Sequence, residues 1–231
     1  MIARTLFRGG CILALLVPVA LPASAQSQSG QRGYVVGIGG AGSTQVNAPL
    51  FGASVGFDVT DHLQITADVG RMQDVLASFT KTDLALVDQR LQTELGLPAK
   101  TTLKMPTNYL TGGMRFLMPS RWHARPYASA SAGIAHMSPA PKFVIGGFDL
   151  TSDLMKDHNV VSTAFREETR PMASLGGGVT FEVVKHVTFD VGYKYSGIYI
   201  KTDYLQDYEV SPHNHKRIDT HRIFAGAGFT F

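Results

Sequence analysis

The sequence predicts an all-β protein, an eight-stranded antiparallel up-and-down transmembrane β-barrel. Three observations lead to this fold class. Apolar residues alternate with polar or small ones at a strict two-residue period, the alternating segments are about 10–14 residues long, and the connections between them are alternately short and long. Alternation gives each strand one apolar and one polar face. Segments of this length fit tilted strands that cross a bilayer.

The composition agrees with this fold class. Of 231 residues, 44% are hydrophobic, only 17% are charged, and 24 are glycine. This balance argues against a disordered chain, a coiled coil and a bundle of membrane helices. The formal net charge is only +3, and two of the basic residues, Arg4 and Arg8, lie near the start of the chain. We therefore expect no nucleic-acid partner.

Residues 1–25 have the pattern of a secretory signal peptide. A basic start precedes an apolar run over residues 11–21, and Ala23-Ser24-Ala25 is a small-residue cleavage site. The alternative is a membrane anchor, but two prolines break the run and it is short for a span. We expect cleavage before Gln26, which removes Cys11, the only cysteine of the chain. The mature chain, residues 26–231, then has neither a disulfide nor a thiol nucleophile.

The first half of the mature chain contains four predicted strands. Residues 33–44 alternate Tyr, Val and Ile with glycine and valine. Residues 50–60 and 62–74 form the second and third strands, and the turn formers Thr60-Asp61-His62 join them tightly. Residues 107–118 form the fourth strand, after a long connection.

The second half contains the other four. Residues 125–138 are rich in Ala and Ser, and residues 170–183 alternate Ala, Leu, Val and Phe with Ser, Gly and Thr. Residues 186–200 show the clearest alternation of the chain and follow a tight turn at Val184-Lys185. Residues 218–231 form the last strand, which ends at Phe231.

The connections indicate how the strands are arranged. The short connections lie at residues 60–62, 119–124 and 184–185, and the long ones at about 44–50, 75–106, 139–169 and 201–217. Short turns at one end and long loops at the other are typical of outer-membrane barrels, with turns in the periplasm and loops outside. A spanning sheet has to close, because every backbone N–H and C=O in hydrocarbon needs a partner.

The polar faces predict the contents of the lumen. A soluble barrel or sandwich would turn its apolar faces inward, whereas a membrane barrel turns them to lipid. Few charges lie on the polar faces, which are dominated by Gly, Ser and Thr, as expected for the narrow interior of eight strands. The barrel-interior charges are predicted to be Asp58, Asp68, Arg115, Glu182, Asp190, Lys194 and Arg222. Aromatic residues are predicted to face lipid near the strand ends: Phe57, Phe116, Phe181, Phe189, Phe229, Phe231, Tyr193 and Tyr195.

The chain resembles the small outer-membrane β-barrels of Gram-negative bacteria, the OmpA-type and Opa-type eight-stranded barrels. The resemblance is carried by the signal ending Ala23-Ser24-Ala25, by the opening strand Gly33-Tyr34-Val35-Val36-Gly37-Ile38-Gly39, by Arg125-Pro126-Tyr127-Ala128, by Ala173-Ser174-Leu175-Gly176-Gly177-Gly178-Val179 and by the closing strand from Phe224 to Phe231. It covers the mature chain as a barrel only and implies the outer membrane as location. It also implies that the last strand is an assembly signal read by the barrel-assembly machinery, through Ile223, Ala225, Ala227, Phe229 and Phe231.

The resemblance implies a non-enzymatic role, structural or surface-binding (adhesin-like), through the extracellular loops. The expected partners are outer membrane lipids and lipopolysaccharide, the assembly machinery and a host or surface ligand at the loops; no cofactor is expected. In residues 75–106, Leu84, Val87, Leu91 and Leu95 recur at helical spacing, which predicts a short helix from Thr82 or Asp83 to Gly96. We expect it to pack over the barrel mouth, and we expect residues 139–169 to be a solvated loop.

Three alternatives remain at this stage. Residues filling the lumen leave room only for a narrow small-solute channel. His136 and Ser138 lie on one face of a strand and are similar to the dyad of lipid A deacylase barrels, with Asp149 as the acid, although Pro139 departs from that pattern. A metal clip of His213, His215 and His221 with Asp207 or Glu209 is the third alternative, but one His-x-His lacks the ligand count of a recognisable zinc site.

Overall fold

A computed structural model of the chain describes residues 32–44, 47–75, 80–119, 124–156, 167–199 and 217–231. The predicted signal peptide and most of the predicted loop 201–217 lie outside these residues.

Eight antiparallel strands close into a barrel, which confirms the predicted fold class. The strands are β1 (Gly33–Ser43), β2 (Asn47–Thr60), β3 (Leu63–Met72), β5 (Thr107–Leu117), β6 (Ala124–Met137), β9 (Glu168–Val184), β10 (Val187–Tyr199) and β11 (Arg217–Thr230). Their order around the barrel is β1-β11-β10-β9-β6-β5-β3-β2. Neighbours in sequence are neighbours in the barrel, and closure is made by β1 with β11, where Tyr34 faces Thr230.

The two ends of the barrel differ. At one end, the turn end, lie the connections β2–β3, β5–β6 and β9–β10, together with Gly33 and Phe231. Gly33 and Phe231 join there through two backbone hydrogen bonds of 2.9 Å, each N–H donating to the other's carbonyl. The other connections lie at the opposite end, the loop end. The prediction of a long connection at about 44–50 is wrong, because β2 begins at Asn47 and only residues 44–46 separate it from β1.

The faces of the barrel are inverted relative to a soluble protein. Large apolar side chains on the outer face are exposed, among them Leu110 at 52%, Met114 at 55% and Ile134 at 49%. Their neighbours in the chain point inward and are buried, including Thr111 at 2% and Arg115 at 3%. Contiguous exposed apolar surface of this kind requires a nonaqueous surrounding. The strand pattern therefore places hydrocarbon outside the barrel and polar groups inside.

The barrel wall continues beyond the loop end. β4 (Ala99–Lys104) leads directly into β5, and β7 (Ala140–Ile145) follows β6. The two extensions pair in the register of the wall below them: Thr107 faces Met137, and three residues further along each strand Lys104 faces Ala140. The interruption between the ladders is made by Pro106 and Pro139, because proline has no N–H to donate.

A small module caps these extensions. It comprises β4, β7, β8 (Phe148–Asp149), α1 (Thr80–Leu95) and α2 (Thr151–Lys156). Its core is formed by Leu91, Phe143 and Ile145, and Val87, Ala99, Leu150 and Leu154 pack against them. The expectation of a solvated loop over residues 139–169 is wrong for 140–156, because Phe143 and Ile145 lie on one face of β7 and pack against Leu91 of α1.

The predicted helix is present, and it begins two residues before Thr82, at Thr80. It ends at Leu95, and Gly96 follows with a φ of 66°, the left-handed conformation that glycine adopts at helix ends. Leu91 is buried, whereas Leu95 is 48% exposed. Neither described helix has the length and apolar content that a membrane span requires.

Candidate functional site

The lumen is crossed by a buried ion pair. Lys194 on β10 and Asp68 on β3 stand four strands apart around the eight-stranded barrel, on opposite walls. The Lys194 ammonium donates to Asp68 Oδ2 at 2.5 Å, and the two side chains are only 9% and 4% exposed. An aspartate on one wall and a lysine on the other can meet in this way only because the barrel is narrow and the lysine side chain is long. The pair therefore ties the two walls together and blocks the lumen axis.

A second ionic group lies beside the first. Arg115 Nη1 on β5 is 3.0 Å from Asp190 Oδ2 on β10. Tyr127 donates its hydroxyl hydrogen to Asp190 Oδ1 at 2.8 Å. The Arg115 guanidinium lies 4.0 Å from the centre of the Tyr127 ring and 5.3 Å from that of Tyr34. Arg115 is thus held by a carboxylate and two aromatic faces, an arrangement that favours arginine over lysine.

The other predicted interior charges have different surroundings. Arg222 donates to the hydroxyls of Ser174 at 3.1 Å and Ser196 at 2.5 Å, and its guanidinium lies 4.7 Å from the Tyr109 ring centre. Asp58 accepts a hydrogen bond of 2.6 Å from Gln64 near the turn end.

Glu182 differs from the rest: its side chain is 43% exposed and faces Arg32 at 3.8 Å. The structure therefore buries six of the seven predicted charges and leaves Glu182 half-exposed at the turn end of the barrel.

An apolar layer lies between the ionic groups and the loop end. It contains Leu50, Met72, Val75, Tyr109, Ala135, Met137, Met172, Ile198, Ile218 and Phe224, all of which are buried. Except for Phe224, which lies beyond Arg222 toward the turn end, these residues come from the loop-end portions of the inward faces. Met137 and Met172 are 2% exposed and Ile198 is fully buried, so side chains fill the barrel at this level. This layer is not among the features predicted above, although the inward parity of Met72, Met137 and Met172 can be read from the sequence.

Glycines make room for the tyrosines inside the wall. A Cβ at Gly70 would lie 2.5 Å from the Tyr109 hydroxyl oxygen and 2.7 Å from the Phe51 carbonyl oxygen. A Cβ at Gly178 would lie 2.6 Å from the Tyr127 hydroxyl oxygen. Both distances are shorter than a van der Waals contact, so each tyrosine can lie flat against the wall only where glycine provides the space.

The barrel thus has buried charges in its lumen, an apolar outer face and a closed wall. These are the features of a barrel that spans a bilayer. A sequence model of the family described as "Outer membrane protein beta-barrel domain" matches residues 11–231. The chain belongs to this family. It is an outer membrane protein, as the sequence predicted.

Solved structures with a similar fold are distant in sequence. Neisserial surface protein A is 14% identical, with a TM-score of 0.49, and the match covers 88% of this chain and 98% of that one. The attachment invasion locus protein Ail of Yersinia pestis is 12% identical, with a TM-score of 0.45 and coverage of 87% and 99%. Outer membrane protein H of P. aeruginosa is 15% identical, with a TM-score of 0.47 and coverage of 86% and 99%. No curated protein matches the chain.

The last strand of this outer membrane barrel carries the predicted assembly residues on its outer face. Ile223, Phe229 and Phe231 are 66%, 61% and 70% exposed, and Ala225 and Ala227 alternate with them on the same face. The Phe231 ring lies over Gly33, where an added Cβ would be 2.5 Å from its Cε2. That the barrel-assembly machinery recognises this last strand stays a prediction.

His136 contacts a threonine in this structure. Its Nδ1 lies 2.9 Å from Thr169 Oγ1 on the neighbouring strand, and its Nε2 lies 3.9 Å from Glu167 Oε2. Ser138 donates its backbone N–H to the Pro106 carbonyl at 3.0 Å, in the gap between the two ladders. Asp149 lies in β8, where it pairs with Lys142 at 3.3 Å. The three residues of the hydrolase alternative therefore have separate partners.

His221 lies on the outer face of β11, where its Nδ1 is 2.6 Å from the Tyr193 hydroxyl oxygen. The other two histidines of the metal alternative, His213 and His215, lie outside the described residues. Within the described ranges, no group of three or more His, Cys, Asp or Glu residues is placed to hold a metal ion.

The module at the loop end has exposed apolar side chains and a hydrogen-bonded carboxylate beside them. Three large apolar side chains of the module are exposed, Leu95 at 48%, Leu97 at 50% and Phe148 at 74%, and we call them the tip cluster. Leu97 lies beside the Gly146-Gly147 turn, since a Cβ at Gly146 would be 3.5 Å from its Cδ1, and Phe148 follows that turn. Asp149 next to it accepts hydrogen bonds from the hydroxyl and N–H of Thr151, at 2.6 and 3.1 Å. Those two hydrogen bonds, with Lys142 as a smaller contribution, lower the pKa of Asp149.

The module is the part of the site that the sequence analysis missed. Its signal is present in the chain: Thr101 and Leu103 alternate with lysines, and Phe143 and Ile145 alternate with Lys142 and Val144. Both runs fall within the predicted long connections 75–106 and 139–169, separated from the predicted strands by Pro106 and Pro139. They are strands that resume after an interruption.

Proposed function

We propose that this protein is a closed outer membrane barrel that displays a folded binding module at the cell surface, with its loop end outside and its turn end in the periplasm. The observation that carries the proposal is the contrast between the two regions. The lumen is filled by an apolar layer and by an ion pair across its axis, whereas the loop end forms an α/β module with its own core and an exposed tip cluster.

The proposed orientation follows from the connections. Three short turns and both ends of the described barrel lie at the turn end. The loop end carries the module. Long loops outside and short turns in the periplasm are general for bacterial outer-membrane barrels. Cleavage of residues 1–25 on export is part of the same proposal.

Orientation can be measured by cysteine labelling in intact cells. The mature chain has no cysteine once the predicted signal is removed. Gln92 on α1 and Lys185 in the β9–β10 turn are both exposed and lie at opposite ends. A membrane-impermeant maleimide should label the Gln92→Cys variant in intact cells and the Lys185→Cys variant only after lysis. The reverse pattern would overturn the orientation.

The binding role is tested by unfolding the module alone. Phe143 is fully buried in the module core, and its replacement by alanine costs about 3–5 kcal/mol, enough to unfold so small a unit. Cells producing the wild-type protein should adhere to an immobilised basement-membrane gel more strongly than cells without it. The Phe143→Ala variant should lose this gain while its barrel still shows the heat-dependent shift in gel mobility typical of a folded barrel. A Phe148→Ala variant, which removes the exposed tip, should show the same loss with the module folded.

The channel alternative is tested with the protein purified from outer membranes. In a planar lipid bilayer we expect insertion without stable openings, because opposite walls of the lumen are bridged. Reproducible openings would favour the narrow channel and refute the closed barrel.

Equal adhesion of wild-type and Phe143→Ala cells would refute the binding role of the module and leave a structural one.

A further inference from the structure

The outer face of β5 and β6 continues into the module in the same register, across the interruption at Pro106 and Pro139. In the membrane part this face carries Leu110 and Ile134, which are 52% and 49% exposed. Two residues further toward the loop end, Asn108 faces His136, which marks the change from apolar to polar surface. Because the register continues past the prolines, the even-numbered side chains of β4 and β7 extend the same outer face.

Three lysines occupy this extension: Lys100 and Lys104 on β4 and Lys142 on β7; we call them the lysine face. Thr102 faces Lys142 across the ladder, so Lys100 and Lys104 are its diagonal neighbours, at about 7–8 Å. Lys100 and Lys104 are exposed, and the Lys142 side chain is 59% exposed. Asp149 is the one acid paired with a member of this face in the described part of the chain.

The module leaves the lysine face open. The opposite side chains of the same strands, Thr101, Leu103, Phe143 and Ile145, are buried. Of these, Phe143 and Ile145 pack against Leu91 of α1. The helices therefore cover the side that continues the lumen, and the lysines point away from the barrel axis, in the direction that the lipid-facing side chains take below.

We infer that the lysine face binds the phosphate groups of lipopolysaccharide molecules that surround the barrel in the outer leaflet. Lys104 lies six residues beyond Leu110, about 20 Å along the strand and about 14 Å higher at a strand tilt of 45°. Side chains at that height, pointing sideways, meet the headgroups of neighbouring lipids before anything that approaches the module from above. A lysine near an anionic membrane surface gains attraction to it.

The inference rests on the proposed orientation, because only the outer leaflet carries lipopolysaccharide. Arg71, exposed on β3, extends the basic surface on the membrane side, where it faces Asn108. Its charge and those of the lysine face outnumber the two acids paired along this surface, Asp149 and Glu167. The surface is therefore complementary to a polyanion, and its place beside the lipid-facing wall selects a lipid-anchored one.

The test compares matched triple variants of the protein purified from outer membranes in detergent. One variant is Lys100→Gln, Lys104→Gln, Lys142→Gln. The control removes the same charge at the turn end: Arg32→Gln, Arg125→Gln, Lys185→Gln. Binding of fluorescent lipopolysaccharide is measured by polarisation, with the same lipopolysaccharide stripped of phosphate by hydrofluoric acid as the second probe. We expect Kd to rise about tenfold or more in the lysine variant and less than about twofold in the control.

Each outcome decides the inference. Stripped lipopolysaccharide should bind the wild-type protein as weakly as the intact one binds the lysine variant. Unchanged affinity of the lysine variant for intact lipopolysaccharide would overturn the inference. The inference would also be overturned if the lysine substitutions weakened the binding of intact and of phosphate-stripped lipopolysaccharide equally. If the lysine variant weakens heparin binding and leaves lipopolysaccharide binding unchanged, the face serves a soluble polyanion instead.

Two further measurements test the inference independently of the folding of the lysine variant and separately from the orientation. If the lysine variant does not fold, the wild-type protein still decides, because phosphate binding by lysines must weaken steeply as salt rises from about 50 to 500 mM; a flat salt dependence would overturn the inference. Labelling at Gln92→Cys separates the two proposals. If Gln92→Cys is labelled from outside but the lysine variant binds lipopolysaccharide with unchanged affinity, only the lysine-face inference is refuted. If Gln92→Cys is not labelled from outside, the proposed orientation is refuted, and the lysine-face inference falls with it.

Discussion

Breaking the ion pair across the lumen should destabilise the barrel strongly, and removing both charges should restore most of the loss. In the Asp68→Asn variant the Lys194 side chain, 9% exposed, loses its carboxylate partner. In the Lys194→Met variant the Asp68 carboxylate, 4% exposed, loses its cation. Breaking a buried pair by removing one partner costs about 3–5 kcal/mol, whereas replacing both charges is often nearly neutral.

From these values we expect each single variant to lose about 3 kcal/mol and the double variant about 1 kcal/mol, which is a coupling of roughly 5 kcal/mol. The free energy of unfolding is measured by guanidinium titration in phospholipid vesicles, with linear extrapolation to water. Far-UV circular dichroism follows the barrel strands, because the pair lies among them.

The exposed pair Lys142–Asp149 provides the control. Its side chains are 59% and 52% exposed, and the nitrogen and oxygen are 3.3 Å apart. The same cycle there should give a coupling below about 1 kcal/mol, as solvent screens both charges. The reasoning is refuted if the double variant of the lumen pair loses the sum of the two single losses, since the charges would then act independently.

Three further changes test other parts of the structure. Gly70→Ala should lower the free energy of unfolding by about 1–3 kcal/mol, because its Cβ would overlap the hydroxyl of Tyr109; thermal or guanidinium unfolding measures it. Deleting Phe231 should slow insertion of the barrel, measured as the folded fraction on unheated gels over time, because the residue closes the ladder with two backbone hydrogen bonds. The lowered pKa of Asp149 means that its contacts with Thr151 stabilise the module above the unfolded-state pKa near 3.8 and are lost as pH falls through the folded-state pKa. The amide resonance of Thr151 should report this acid transition.

Each of these changes has a matched control. Gly39→Ala should leave stability unchanged, because an added Cβ there has no heavy atom within 4 Å; an equal loss at both glycines would show that overlap with Tyr109 is not the cause. For Phe231, a normal insertion rate after deletion would contradict its role in closure. In the Asp149→Asn variant the acid transition of the Thr151 amide should disappear; its persistence would assign the transition to another group.

The site was only partly predictable from the sequence. Parity alone put Asp68, Arg115, Asp190, Lys194 and Arg222 on inward faces, because a two-residue period is a local property of an extended chain. Their partners were not readable, since the sequence separation of Lys194 and Asp68 is long and their meeting depends on the closure of the barrel. Glu182 has the same parity but lies at the mouth, where the barrel no longer covers it.

By itself, the sequence determined the number of barrel strands, which face of each of them meets lipid, the position of the three turns at the turn end and the family to which the chain belongs. These follow from alternation, turn chemistry and the need to pair every backbone group in hydrocarbon. Only the tertiary structure decided that Lys194 reaches Asp68 across the lumen and that an apolar layer closes the loop end. It also decided that residues 140–156 fold with α1 and present the lysine face. The physical reason is that these contacts join segments distant in sequence, and their geometry exists only once the barrel has closed.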